Sequence, residues 1–208
     1  MDPKMERWWI EMEERVVPML VDLAPLGFVI ARRSHERGWT DDPRCRLRRG
    51  VAEALCRARD RLPSGCNFKI LDGWRSWELQ QACADQAERE IRAAHPDWPD
   101  AAVAERVRVM APRIRVVPRL ASHRYGGAVD LTIVDAAGAE LDLGAPVDSA
   151  AGLEAELLWY EWMDPPAGSP ARAARDNRRL LIRCLGAEGF SPYLPEFWHW
   201  GMDRDGMA

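Results

Sequence analysis

The apolar and polar positions divide the chain into short elements punctuated by proline and glycine. Residues 4–16 mix acidic and basic side chains around Trp8 and Trp9 and read as a short helix; the apolar run Leu26 to Ala31 then reads as a strand. Asp41-Asp42-Pro43 is a helix start, and the spacing of Val51, Leu55 and Ala58 extends that helix to about residue 61. Pro63-Ser64-Gly65 ends it, and Phe68-Lys69-Ile70-Leu71 predicts a strand running into the turn Asp72-Gly73-Trp74-Arg75. Ser76 can cap a helix from Trp77 to Ala94, because its side-chain oxygen can accept a backbone N–H that the first turn leaves unpaired. His95-Pro96-Asp97-Trp98-Pro99 separates that helix from a second one over Asp100 to Met110. Gly127 to Asp135 alternates as a strand through Val129, Leu131 and Ile133, and Ala136-Ala137-Gly138 should fold it back on Glu140-Leu141-Asp142-Leu143 as a hairpin. Leu153 to Trp162 is ambiguous. Ser169-Pro170 opens a helix with Leu180, Leu181, Cys184 and Leu185 on one face, ending at Gly186 or Gly189, and a last strand covers Glu196 to Met202.

These elements predict an α+β fold, a central antiparallel sheet flanked by helices, with residues 1–208 forming a single domain. There is no internal repeat, low-complexity tract or long linker. Hydrophobic residues make up 47% and charged residues 30% of the 208, a balance that can bury a core. A formal charge of -4, with arginines interspersed among acids, argues against a nucleic-acid partner. The group Arg44, Arg46, Arg48 and Arg49 leaves a phosphate-binding patch as a minor alternative. The charged N-terminus does not read as a secretory signal, and Pro18, Asp22 and Pro25 interrupt the most apolar run, so no membrane span is expected. Five scattered cysteines without a CxxC pair fit reduced thiols in a cytoplasmic protein.

Candidate chemistry lies in two short segments. Four histidines occur in all, and His35 and His95 read as ordinary structural residues. His123 stands seven residues before Asp130, with Gly126 and Gly127 between them, so a loop can hold the imidazole while the adjoining strand presents the carboxylate. Asp130 in an otherwise apolar strand is costly to bury unless it is paired or bound to a metal. His199 would bring a third ligand from the last strand, and Glu196, three residues earlier, a spare carboxylate. Two imidazoles, one carboxylate and a base make a hydrolytic zinc site, although several divalent ions suit that donor set. An offset of three places Glu196 and His199 on opposite faces of a regular strand, so the backbone there must bend or bulge. From the residues alone, His123 as a turn histidine and His199 as a packed core imidazole remain open.

The two segments resemble the D-alanyl-D-alanine dipeptidases of vancomycin resistance, within the zinc D-alanyl-D-alanine carboxypeptidase superfamily. Ser122 to Asp130 matches Ser-His-x-x-Gly-x-Ala-x-Asp, and Glu196 to His199 matches Glu-x-Trp-His. Asp72-Gly73-Trp74-Arg75, Leu143 to Asp148 and Asn177 to Leu181 with Gly189-Phe190 resemble further family segments in the expected order, so the likeness covers residues 45–203. It implies one Zn²⁺ per chain on His123, Asp130 and His199, with Glu196 as catalytic base. Arg75 would stabilise the oxyanion, Asp148 would pair with the amino group of a small dipeptide substrate, and Ser122 would help hold that substrate. The implied activity is a zinc metallopeptidase acting on D-Ala-D-Ala in cell-wall turnover; the alternatives are a related zinc amidase and a non-catalytic zinc-binding module. The chain departs from the family where Arg75 is followed by Ser76 rather than proline, and where Phe197 replaces tryptophan before Trp198-His199. Residues 1–40 are divergent and lack the family's N-terminal aromatic and Asn-Phe-x-Gly features.

Overall fold

A computed structural model describes residues 7, 11, 13–31, 33–111, 122–147 and 161–202. Its main sheet has five strands in the order β2 (Val29–Ile30), β4 (Asn67–Asp72), β5 (Ala128–Val134), β7 (Glu196–Gly201) and β6 (Ser191–Tyr193). β2 runs parallel to β4 and every other neighbouring pair is antiparallel. A separate antiparallel ribbon joins β1 (Leu20–Asp22) to β3 (Arg46–Arg48). The helices are α1 (Arg49–Arg59), α2 (Trp77–Ala94), α3 (Asp100–Met110) and α4 (Pro170–Gly186), with a helical turn at Arg33–Glu36. The α+β class expected from the sequence is the one observed, with a single parallel pair in an otherwise antiparallel sheet.

β5 is buried at every position, as a central strand should be. Val129, Leu131 and Ile133 turn one face of it into the main core, where they meet Val51 and Leu55 of α1, Phe68 and Ile70 of β4, Leu181 and Leu185 of α4, and Trp200 of β7. The period of two places Asp130 on the opposite face. α2 and α3 form a second cluster in which Leu79, Cys83, Ala87 and Ile91 meet Val103, Val107 and Ala111. Each helix thus offers a stripe at four-residue spacing, the repeat that keeps side chains on one helical face. Both predicted serine caps form: Ser76 Oγ accepts from the Leu79 N–H and Ser169 Oγ from the Arg172 N–H, each at 3.2 Å.

Three expectations are corrected. The helix expected from Asp41 begins only at Arg49, because residues 46–48 pair with Leu20–Asp22 as β3. The Asp42 carboxylate does not cap that helix; it accepts from the Arg44 N–H and pairs with the Arg44 and Arg46 guanidinium groups. Those pairs and the burial of Arg48 also leave no single exposed patch of four arginines. Second, Glu140 to Leu143 forms only a bridge, Val134 to Glu140, with a Leu141 N–H bond to the Ile133 carbonyl. β5 already has β4 on one edge and β7 along residues 128–130 of the other, so only its far end is left for a returning chain. Third, β6 was not anticipated; its three residues include Pro192, at an edge where a missing N–H is tolerated. Helical residues Arg7, Glu11 and Glu13–Val16 agree with the predicted first helix, whereas most of Leu153 to Trp162 lies outside the described residues. None of the five cysteines forms a disulfide, and among the described residues no helix is long and apolar enough to cross a membrane.

Candidate metal centre

Three neighbouring strands bring one polar row across the sheet. Asp130 of β5 lies directly opposite His199 of β7 on one side and Asp72 of β4 on the other. Asp72 reaches that row through a bulge. Ile70 pairs with Leu131, but the next pair is Asp72 with Asp130, so Leu71 is the extra residue. Without it, the two-residue period would keep position 72 on the core face with Phe68 and Ile70.

His123 enters from a single 3-10 turn, His123–Tyr125, immediately before β5. The turn closes at Gly126, whose φ of 63° lies in the left-handed region. The left-handed backbone favours glycine, and a Cβ there would also crowd the Arg48 backbone nitrogen at 3.1 Å and displace the Leu20 Cδ2 methyl. Gly73 answers a similar demand: a Cβ would sit 2.6 Å from the Arg46 carbonyl oxygen. This close approach brings the Gly73 carbonyl over the 3-10 turn, where His123 Nδ1–H donates to it at 2.6 Å. A carbonyl only accepts, so Nδ1 carries the hydrogen and Nε2 is the ring nitrogen directed into the row.

The donor atoms converge there. His123 Nε2 lies 3.1 Å from His199 Nδ1 and 3.2 Å from Asp130 Oδ2, and His199 Nδ1 lies 2.9 Å from Asp130 Oδ1. A tetrahedral zinc site with metal–ligand distances of about 2.0–2.1 Å has donor–donor edges of about 3.3–3.4 Å, so these three atoms fit one face with slight expansion. Burial alone would push the Asp130 carboxyl up, but the adjacent imidazoles of His123 and His199 hold it well below the usual carboxylate range. It is therefore an ionised oxygen donor. Among the described residues, this is the group of His, Cys, Asp and Glu side chains able to hold a metal ion.

Arg75 flanks the group. Its Nε donates to Asp72 Oδ2 at 2.7 Å and its Nη2 to Asp130 Oδ2 at 2.9 Å, so two carboxylates hold the planar fork in one orientation. Burial opposes its charge, but the carboxylates of Asp72 and Asp130 outweigh that penalty and hold its pKa well above the usual arginine value. Asp72 was visible in the sequence as part of the turn segment but had no role; its function as the anchor of Arg75 emerges only from the bulge. Glu13 was missed altogether. Its carboxylate accepts from the Trp77 N–H at 2.6 Å, at the start of α2, and pairs with Arg124 at 3.1 Å, beside His123. The divergent N-terminal segment therefore braces the two segments that carry Arg75 and His123.

Glu196 is buried at the first position of β7, just after the Leu194-Pro195 turn. Tyr193 pairs with Glu196, yet its neighbour Pro192 pairs with Trp200, leaving 197–199 without counterparts on β6. The irregular backbone that a three-residue offset from His199 demands is present between them. Glu196 is not one of the three converging donors. Ser122 is half-buried; its carbonyl accepts from the Tyr125 and Gly127 N–H groups, and its hydroxyl does not cap the 3-10 turn. Asp148 lies outside the described residues.

No protein-family model matches the sequence, and no curated protein matches it. Among solved structures it is similar to the vancomycin resistance D,D-pentapeptidase VanY from a VanB-type resistance cassette, in complex with Zn(II). That alignment has a TM-score of 0.47 and 18% identity, and covers 77% of this chain and 74% of the other.

Proposed function

We propose that this chain is a zinc-dependent peptidase that hydrolyses a small dipeptide of the D-Ala-D-Ala type. The observation that carries the reading is the convergence of His123 Nε2, His199 Nδ1 and an ionised Asp130 oxygen beside the fixed fork of Arg75. Such a site holds one divalent ion on three protein donors and leaves a coordination position open. Bound there, zinc supplies Lewis acidity at the scissile carbonyl and lowers the pKa of water.

The protein's own groups do the rest. The Glu196 carboxylate takes a proton from the attacking water and returns it to the leaving amine as the C–N bond breaks. Arg75 donates to the carbonyl oxygen as negative charge builds on it; because Asp72 and Asp130 already hold the guanidinium, little reorganisation is needed during the reaction. Ser122 contributes to holding the substrate, and Asp148 pairs with its free amino group. A related zinc amidase on another dipeptide or peptide-like metabolite would use the same residues, with Asp148 demanding a free amine in either case.

The test is amine release by zinc-loaded protein from a panel of D,D-, L,D- and L,L-dipeptides, with and without N-acetylation. Preferred cleavage of unblocked D,D-dipeptides is expected. Equal cleavage of acetylated substrates would remove the role of Asp148, and no cleavage by any panel member would remove the dipeptidase reading. Glu196→Ala should retain zinc while lowering turnover at least about a hundredfold, the scale of lost acid–base catalysis. Unchanged turnover would overturn the assignment of the base.

A further inference from the structure

We propose that Arg178 is a positioning residue for Glu196 and acts through Phe197; this rests on Glu196 being the catalytic base. Arg178 is on α4 and is 0% exposed, although α4 could present an apolar residue to the core at that position. A buried guanidinium is not the most stabilising filling for such a site, since a side chain of similar volume without charge avoids its desolvation. Its value lies in directed contacts. Nε donates to the Leu143 carbonyl at 2.6 Å, and Cζ stands 4.0 Å from the centroid of the Phe197 ring. The preceding Asn177 donates from Nδ2 to the Asp142 carbonyl at 2.8 Å, so two consecutive residues of α4 grip two consecutive carbonyls after β5.

Phe197 is where β7 most needs such support. Regular pairing with β6 would fix the backbone, but residues 197–199 have no partners on that strand. The Phe197 ring, fully buried, instead packs edge-on against Trp198 with centroids 4.9 Å apart and takes the Arg178 cation on its face. A cation over a desolvated ring face is attracted in one geometry, whereas apolar packing tolerates sliding. Arg178 therefore fixes the ring, the ring fixes the irregular backbone, and that backbone sets the separation of Glu196 from His199. The Leu143 contact holds the guanidinium itself in register.

The experiment uses the full-length, zinc-loaded protein labelled with 4-fluorophenylalanine. Four phenylalanines give four ¹⁹F signals, and Phe197→Leu identifies the one from position 197. Arg178→Met should shift and broaden that signal and speed amide exchange at 196–199 by at least tenfold, with zinc stoichiometry unchanged. Turnover should fall about tenfold or more in kcat, with KM nearly constant. Arg178→Lys, which keeps a cation but loses the fork, should fall between Met and the native protein, and combining Arg178→Met with Phe197→Leu should add little to either alone. An unperturbed Phe197 signal and native exchange at 196–199 in a folded Arg178→Met would overturn the proposal even if no dipeptide is cleaved. A native fluorine spectrum in Arg178→Met would thus reject the positioning role, whereas a perturbed spectrum together with no dipeptide hydrolysis by the native protein would reject the peptidase reading on which it rests.

Discussion

The α2–α3 hairpin and the polar row across β4, β5 and β7 are built on opposite principles. In the hairpin, Leu79, Cys83, Ala87 and Ile91 meet Val103, Val107 and Ala111, and the contacts lie within about 30 residues of sequence. Apart from the buried Gln80, its charged and polar positions are largely exposed, and its Ser76 cap is local. The row gathers residues 72, 75, 123, 130 and 199, buries ionised groups, and depends on a bulge, a left-handed glycine and a carbonyl brought close by a second glycine. The hairpin gains stability from burying apolar surface. The row gives up stability to hold charge away from water, and regains it only when every donor and acceptor is matched.

Breaking the row should have the largest effect. Asp130→Asn leaves the buried Arg75 with Asp72 alone and deletes the ionised oxygen donor, so zinc stoichiometry should fall close to zero and the metal-free protein should lose about 3 kcal/mol. Metal analysis after dialysis and urea unfolding would check both; retained zinc would show that the three donors do not act as a set. Next comes Ile91→Ala in the hairpin, which should destabilise by about 2–3 kcal/mol through the lost methyl groups and the cavity they leave. Zinc affinity should stay within about threefold of native if the two regions are energetically separate. A proportionate loss of zinc would mean that the hairpin supports the row after all.

The smallest effect is on acid stability. Because the folded pKa of Asp130 is depressed, its contribution is fully present above the unfolded value of about 3.9 and is lost as pH falls through the lower folded value. Below about pH 4 the unfolded chain binds that proton first, so the metal-free protein should weaken with acid there, and Asp130→Asn should flatten the dependence. Equal slopes in native and variant protein would show that other carboxylates dominate acid unfolding.

These two regions were also unequally legible. Helix α2 could be read almost to its ends, because the Ser76 cap and the apolar spacing are properties of neighbouring residues. The same local logic failed at Asp41 to Arg48, where a good helix start lost to strand pairing with residues 20–22. For the candidate site, the sequence named His123, Asp130, His199, Glu196 and Arg75 as candidates and required an irregular backbone before His199. It had no means of revealing Asp72, Glu13 or Arg178 as supports, since each acts on partners between 3 and 111 residues away, through a bulge, a helix start or a ring face.

The sequence by itself determined the donor types, their order, the glycines at 73 and 126 that permit close turns, and the amphipathic stripes of the helices. Those are consequences of side-chain chemistry and near-neighbour geometry. Only the tertiary structure decided that Asp72, Asp130 and His199 share a row, that Nε2 of His123 faces it, and that Arg75 is held by two carboxylates. Strand register and a one-residue bulge choose which face each side chain takes, and those choices are made by pairing partners far away in the chain.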